Sequence, residues 1–462
     1  MSTLGSRAAA ALCALAMTGC VIGPAYQRPA VTTPTAFREQ QQTSAGANVA
    51  NPKWWETFGD AQLNALEEKV SVSNQNVAAA AAAVEAARAV VREARSQYYP
   101  TVTVNPSLTN VHLAIPGASG IPAGKTYNEY AVPFEATWEP DLWGRVKKAV
   151  QSSGIAVQIQ TADLENVRLA AQADLATDYY ELRTEDALKA LLDAATANYR
   201  ETLELNRSLL AAGVGNDEAV AQAETQLKIT EAQATAVGVL RAEYEHAIAL
   251  LVGQAPTAVT VAPLEWKPNP PAIPSGVPSE LLQRRPDIAA AERAVAQANV
   301  QIGIAKTAYY PSVTLTAEGG PESLALTSLP SKFWSLGPSL VETIFEGGLR
   351  KATVQQYQAA YDQTVANYRQ TVLTAFGQVE DNLAALRVLG QVVGQQKAAI
   401  EAAARTLDEA TARYKGGLDP YLNVLSAQII LLNAQETLLS FNEQQMTASV
   451  ALIKALGGGY KQ

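Results

Sequence analysis

The sequence predicts an α+β membrane protein made by internal tandem duplication, whose strands and long helices must be completed by further copies of the chain. Three observations lead there: matching segments at a constant offset, amphipathic strands paired as hairpins, and helices too long for a globular core. The 462 residues carry 35 Lys and Arg against 44 Asp and Glu, a net charge of −9, with 48% hydrophobic residues. No basic run offers a face to phosphates, which disfavours a nucleic-acid partner.

The duplication is visible in short echoes. SQYYPTVTV (96–104) returns as TAYYPSVTL (307–315). Gly144 and Gly348, Gly213 and Gly417, and Gly253 and Gly457 are each 204 residues apart, whereas Pro100 and Pro311 are 211 apart. The first copy therefore holds seven more residues between its YYP and its next glycine landmark. One offset held over more than a hundred residues marks a repeat.

Residues 1–19 read as an export signal: Arg7 is the charged start and Ala8 to Met17 the apolar run. Met17-Thr18-Gly19-Cys20 then suggests a lipobox, making Cys20 the acylated first residue of an extended segment, 20–60. A plain cleaved signal with an incidental cysteine is the alternative. Val21, rather than Asp, leaves nothing to retain the chain at an inner membrane. Cys13 departs with the signal, so no disulfide can form within the mature chain. No later run reaches eighteen apolar residues, so no transmembrane helix is expected.

Repeat one spans 61–252 and repeat two 279–457, with a Pro-rich linker at 253–278 and a short tail at 458–462. Each opens on an Ala-rich helix, Gln62 to Arg95 and Pro286 to Thr307. Pro100 and Pro311 end these helices, because proline disfavours helix in the residue before it. Two extended segments follow in each copy: Thr101 to Ala114 with Tyr127 to Leu142, and Ser312 to Ala325 with Phe333 to Phe345. Phe134, Ala136 and Trp138 show the period of two. The third segment is the weakest, since Gly319-Gly320-Pro321 interrupts it. After Gly144 and Gly348 come helices over Val146 to Ala211 and Lys351 to Lys415, each roughly 100 Å long. Tight turns then lead into return helices of about 35 residues. In the second turn Gly417 suits the left-handed position, Asp419 the cap and Pro420 the first helical position; Gly213 and Asn216 play the first two parts in the other.

Such helices need neighbours along their whole length. A solvated spectrin-like rod would also supply them, but it has no use for strands. A barrel must close, the smallest have about eight strands, and four cannot. Several chains must share one barrel, and their helices must continue it as a second tube.

At this point the sequence resembles the outer-membrane factors of tripartite efflux pumps, the TolC-type channels, in the lipidated branch that serves resistance-nodulation-division transporters. IGPAYQRP (22–29), WWETFGDAQLNAL (54–66), WEPDLWGR (138–145) and FEGG (345–348) carry the likeness. LLQRRPDIAAAERAVAQANVQIGIAKTAYYPSVTL (281–315) carries it most specifically. The resemblance covers essentially the whole mature chain. It implies a homotrimer with a twelve-stranded barrel in outer-membrane lipid and a twelve-helix periplasmic tube. It implies a periplasmic adaptor and an inner-membrane pump as partners. It implies no cofactor and no catalysis. Pro100, Pro311, Gly144 and Gly348 would mark the junctions of helix and strand.

The resemblance also places a periplasmic gate at the second helical turn, 416–428. Relatives put pore-facing aspartates there; this chain has the neutral Asn423 and Ser426. Leu422 matches an apolar constriction, with Asp419 held as a cap and Tyr414 and Tyr421 bracing the neighbouring coils. The alternative is that Leu422 packs between helices. The phosphate-loop look-alike GIPAGKT (120–126) lacks the first glycine and the strand–loop–helix setting. Two histidines, one mature methionine and one lipidated cysteine assemble neither a soft-metal cluster nor a Ser-His-Asp triad. Asp174, Asp178, Glu181 and Glu185 read as a solvated face or a lumen lining. A duct for protein or peptide secretion, and a lipid-anchored periplasmic scaffold, remain competing functions. The scaffold reading lacks a lipoyl-like domain. The cargo is open.

Overall fold

The computed structural model describes residues 22–39, 52–112, 114, 124–274, 276, 278–324 and 330–460. Cys20, the expected export signal and most of both strand-joining loops, including residues 120–123 of GIPAGKT, lie outside the described residues. The chain divides into two compact units, one of residues 1–29, 84–160 and 291–368 and one of residues 30–83, 161–290 and 369–462.

The first unit holds a six-segment antiparallel sheet: β1 (Thr101–Val104), β2 (Ser107–His112), β3 (Thr126–Ala131), β4 (Phe134–Trp138), β5 (Ser312–Ser323) and β6 (Ser331–Val341). Segments β1 and β2 form one line of chain and β3 and β4 the next, so the sheet has four strands, ordered β1/β2, β3/β4, β5, β6. The sequence reading expected the first two strands unbroken and the third interrupted. The breaks fall the other way. Pro106 and Pro133 lack the N–H a ladder needs, so each kinks its strand. Beside them β5 runs through Gly319-Gly320-Pro321 without a break. A Cβ on Gly320 would stand 2.2 Å from the Val132 carbonyl oxygen, so glycine is what lets β5 approach the kink. Val132 N–H donates to Pro321 O at 3.0 Å, and Asn105 N–H to Pro133 O at 3.1 Å, which carries one bend across three strands. The strands also stop at Trp138 and Val341, short of the expected Leu142 and Phe345.

The helices are α1 (Ala61–Ser73), α2 (Gln75–Ser96), α3 (Arg145–Ala211), α4 (Asp217–Leu251), α5 (Pro278–Arg284), α6 (Pro286–Thr307), α7 (Leu349–Lys415) and α8 (Tyr421–Ala455). Both long helices have 67 residues and both return helices 35. The helix expected over 62–95 is divided at Asn74. Its carboxamide oxygen caps α2, accepting from Asn76 N and Val77 N at 2.9 and 3.1 Å, and its amide donates to Leu251 O at 2.8 Å. The second repeat makes the same break at Arg285, whose guanidinium donates to Ala455 O at 3.0 Å. Gly253 and Gly457 finish the return helices at φ +70° and +95°; a Cβ on either would lie 2.0 Å from the carbonyl oxygen of Ser73 or Arg284. At these two joints the duplication repeats the same contacts.

The second unit is packed around Trp54, Leu63, Val70, Leu175, Tyr179, Leu182, Ile248, Val252 and Ile453. The linker is pinned to it by a buried ion network. Arg183 bonds Asp186 at 2.6 Å, Ala262 O at 3.0 Å and the side chain of Gln62; Arg241 bonds the same Asp186 and Val261 O, each at 2.7 Å. Among the described helices, α8 alone is long and apolar enough to cross a membrane by composition, yet only 22% of that stretch is buried inside the subunit.

Candidate functional site

The sheet is two-faced. Following the register across its four strands, Val102, Ala136, Ala317 and Leu336 form one row, and Val104, Phe134, Gly319 and Trp334 another, on the same face. The row between them is Thr103, Glu135, Glu318 and Ser335, on the opposite face. Alternate rows are therefore apolar and polar, the pattern of a strand with lipid on one side and water on the other. The apolar rows are bare within the subunit: Trp334 is 81% and Leu336 73% exposed. A soluble sheet would bury such a face. The outer strands, β1/β2 and β6, each pair on one side only among the described residues.

Aromatic residues gather where helix meets strand. Trp143 stacks on Tyr310 with centroids 5.0 Å apart and donates its indole N–H to Pro311 O at 2.7 Å. Trp138 donates to Tyr98 O at 3.0 Å. Such girdles sit at the level of lipid headgroups. Pro100 and Pro311 lie just after the turns that end α2 and α6, and Gly144 and Gly348 take φ +75° and +89° immediately before α3 and α7.

The helical turns lie in the second unit. There Tyr199, Leu203, Ala219, Ala223, Tyr421, Val424 and Leu432 form one cluster, with Tyr414 and Leu425 against it. The Tyr414 and Tyr421 rings are 5.7 Å apart, and Tyr414 O–H donates to the buried Asn206 carboxamide. Leu422 is 51% exposed and stands outside that cluster. It shares an exposed stripe of α8 with Ser426 and Ile430, and Asn423 is exposed beside it. Asp419 is not a cap: its carboxylate is held by Arg413 at 2.6 and 3.1 Å, and Pro420 occupies the cap position. Arg413 lies one turn back across the Gly417 bend, so its fork reaches Asp419 before a helix N–H can, and holds its carboxyl below the usual range. In the first turn Asn216 does cap, accepting from Ala219 N at 2.8 Å.

The acidic stripe is neither fully solvated nor confined to one helix. Burial, then Glu181 and Asp174, pushes Asp178 up to about 7. Glu181 and Glu185 on α3 are raised mainly by burial, as is Glu443 on α8, which also feels Glu181. Sequence reading missed Glu443, because its place opposite the α3 stripe is a matter of packing. It also missed Glu67, which is wholly buried with both oxygens unpartnered and is pushed by burial up to about 9.

The sequence profile of the outer membrane efflux protein family matches residues 66–254 and 277–458. The chain belongs to the outer membrane efflux protein family. The solvent efflux pump outer membrane protein SrpC of Pseudomonas putida is 31% identical over 463 residues, spanning 96% of this chain and 97% of that protein. The cation efflux system protein CusC of Escherichia coli K12 is 29% identical over 457 residues, spanning 96% and 98%. Among solved structures, the outer-membrane channel OprN superposes with a TM-score of 0.87 at 28% identity, covering 95% of this chain and 99% of that one. The MtrE channel of Neisseria gonorrhoeae gives 0.83 at 26%, covering 96% and 99%. This efflux protein is accordingly an outer-membrane component of an efflux pump, a passive channel and not an enzyme.

Proposed function

We propose that three copies of this efflux protein close one twelve-stranded barrel and one twelve-helix tube, through which drugs or other small toxic compounds leave the cell. The observation that carries this is the two-faced sheet of four strands whose outer strand on each side, among the described residues, is unpaired along its outer edge. Paired β6 to β1/β2 around a threefold axis, the strands lose their edges, as a bilayer requires. The bare apolar surface of α8 supports the same reading, since in water it calls for neighbouring helices. Cargo reaches the tube from a periplasmic adaptor joined to an inner-membrane resistance-nodulation-division pump, and acylated Cys20 adds an anchor to the outer membrane.

The gate we infer is a ring of three Leu422 side chains at the second turn. Its position on an exposed stripe, away from the cluster that braces Tyr414 and Tyr421, supports a pore-facing role over a packing one. Asn423 and Ser426 leave that ring without carboxylates, so the closed channel discriminates weakly between cations and anions. Single-channel recording tests both points. Leu422→Ser should raise conductance with the trimer's melting unchanged; wild-type conductance with an earlier-melting trimer would make Leu422 a packing residue.

A further inference from the structure

In the first unit, two motifs far apart in sequence meet. The segment after Cys20, Ile22 to Pro29, lies along α6. Tyr26 O–H donates to the Glu292 carboxylate, and Asn299 donates to Pro24 O at 3.1 Å. Gly23 rests on Gly303, where a Cβ would stand 2.8 Å from the Gly303 Cα. At the 211-residue offset, Glu292, Asn299 and Gly303 correspond to Ala81, Arg88 and Arg92, so only one repeat is fitted to hold this strap.

Lys148 completes the grouping. Its stem crosses Gly303, whose added Cβ would meet Cε at 2.7 Å and Nζ at 2.8 Å, and its ammonium stands 3.2 Å from the corresponding point on Gly23. The residue is 5% exposed. Among the described residues its ammonium has no hydrogen bond and no ion pair. The carboxylates nearby in sequence are engaged: Asp141 caps Val146 N and Lys147 N at 3.0 and 2.7 Å, and Glu139 holds Arg145 at 2.9 Å. Lys147, exposed beside it, adds a second positive charge rather than relief. The counterpart of Lys148 in the other repeat is Ala352. The stem is what is buried; the ammonium keeps access to the surface and, among the described residues, has no anion of its own. Lys148 lies in the first turn of α3, a few residues beyond the Trp143–Tyr310 girdle, where lipid headgroups lie.

We propose that Lys148, with Gly23 and Gly303 as its floor, binds the phosphodiester of an anionic phospholipid in the periplasmic leaflet, one lipid per chain. Lysine snorkelling fits this: the stem is buried against the glycines and the ammonium is presented to the headgroup. The proposal rests on the outer-membrane placement of the sheet and not on acylation of Cys20.

The test is native mass spectrometry of the full-length protein released from phosphatidylcholine nanodiscs with and without phosphatidylglycerol. The same spectra read Cys20 acylation and oligomeric state. Retained phosphatidylglycerol should fall about tenfold in Lys148→Met, the loss expected for one charge-assisted hydrogen bond, and return in Lys148→Arg. Equal retention by wild type and Lys148→Met overturns the site. So does dissociation of the Lys148→Met oligomer with lipid retention unchanged per chain, because the ammonium is then neutralised by a carboxylate of the partner subunit. Displacement of the lipid by inorganic phosphate would make it a free-anion site and overturn the lipid assignment.

Discussion

Replacing Glu67 by Gln should flatten part of the protein's loss of stability toward alkaline pH. Glu67 lies on α1, fully buried, with neither oxygen hydrogen-bonded. Burial holds its proton in the folded chain up to about pH 9, whereas the unfolded chain releases it near the ordinary carboxylate value of 4.5. Between those limits the folded state binds one proton more than the unfolded state, so stability falls as pH rises. The contribution is fully present below the unfolded value and is lost by the time pH passes the folded one. The slope from this single group is about 1.4 kcal/mol per pH unit for each chain. Gln keeps the shape and polarity of the protonated acid and cannot ionise. Asp178 and Glu443 are raised in the same direction, so a residual slope should remain in the variant. The assay is the melting midpoint of the purified protein in detergent from pH 5.5 to 8.5. Wild type should lose stability more steeply than Glu67→Gln, and Glu67→Leu should be the most stable at the alkaline end. Parallel curves would refute the reasoning, showing that the carboxyl finds a partner or water that the burial argument denies it.

Ser426→Asp should restore part of the cation preference that the neutral turn lacks, read as a shift in reversal potential under a salt gradient. Palmitate labelling should require Cys20 and vanish in Cys20→Ser; label persisting there would remove the lipobox. Gly457→Ala should destabilise the protein by well over the ~1 kcal/mol of a left-handed glycine alone, read from its melting, because its Cβ would strike the Arg284 carbonyl 2.0 Å away. Gly417→Ala, at φ +68° with nothing within 4 Å, should cost only that smaller amount, and equal losses at the two sites would contradict the packing argument.

What sequence could show, and what it could not, divides along physical lines. The long helices were legible because 67 residues without an internal proline, bounded by glycine turns, leave little else to form. Strands were legible by alternation at Phe134 to Trp138. The division at Asn74 was not, because a capping Asn inside an alanine-rich run looks like an ordinary helical residue until Leu251 is seen to receive its amide. Glycine at 320 suggested interruption, but its meaning depended on a carbonyl from another strand. Asp419 has the right spacing for a cap; Arg413 competes for it through a bend that spacing does not describe. The strap on α6 joins Tyr26 to Glu292 across 266 residues, beyond any local pattern. At the second turn, sequence could name Leu422, and the structure adds that it is half exposed on its own stripe of α8.

The central claim, that three chains share one barrel by pairing β6 of one with β1/β2 of the next, is tested most directly by engineered cysteines on those two strands. Cysteine at Val102 or Val104 is combined with cysteine at Leu336 or Leu340, and the membranes are oxidised. At least one combination should give a covalent ladder that stops at three chains and reverts to monomer on reduction. A ladder ending at two chains, one running past three, or channel conductance from material with no cross-link in any combination would contradict it.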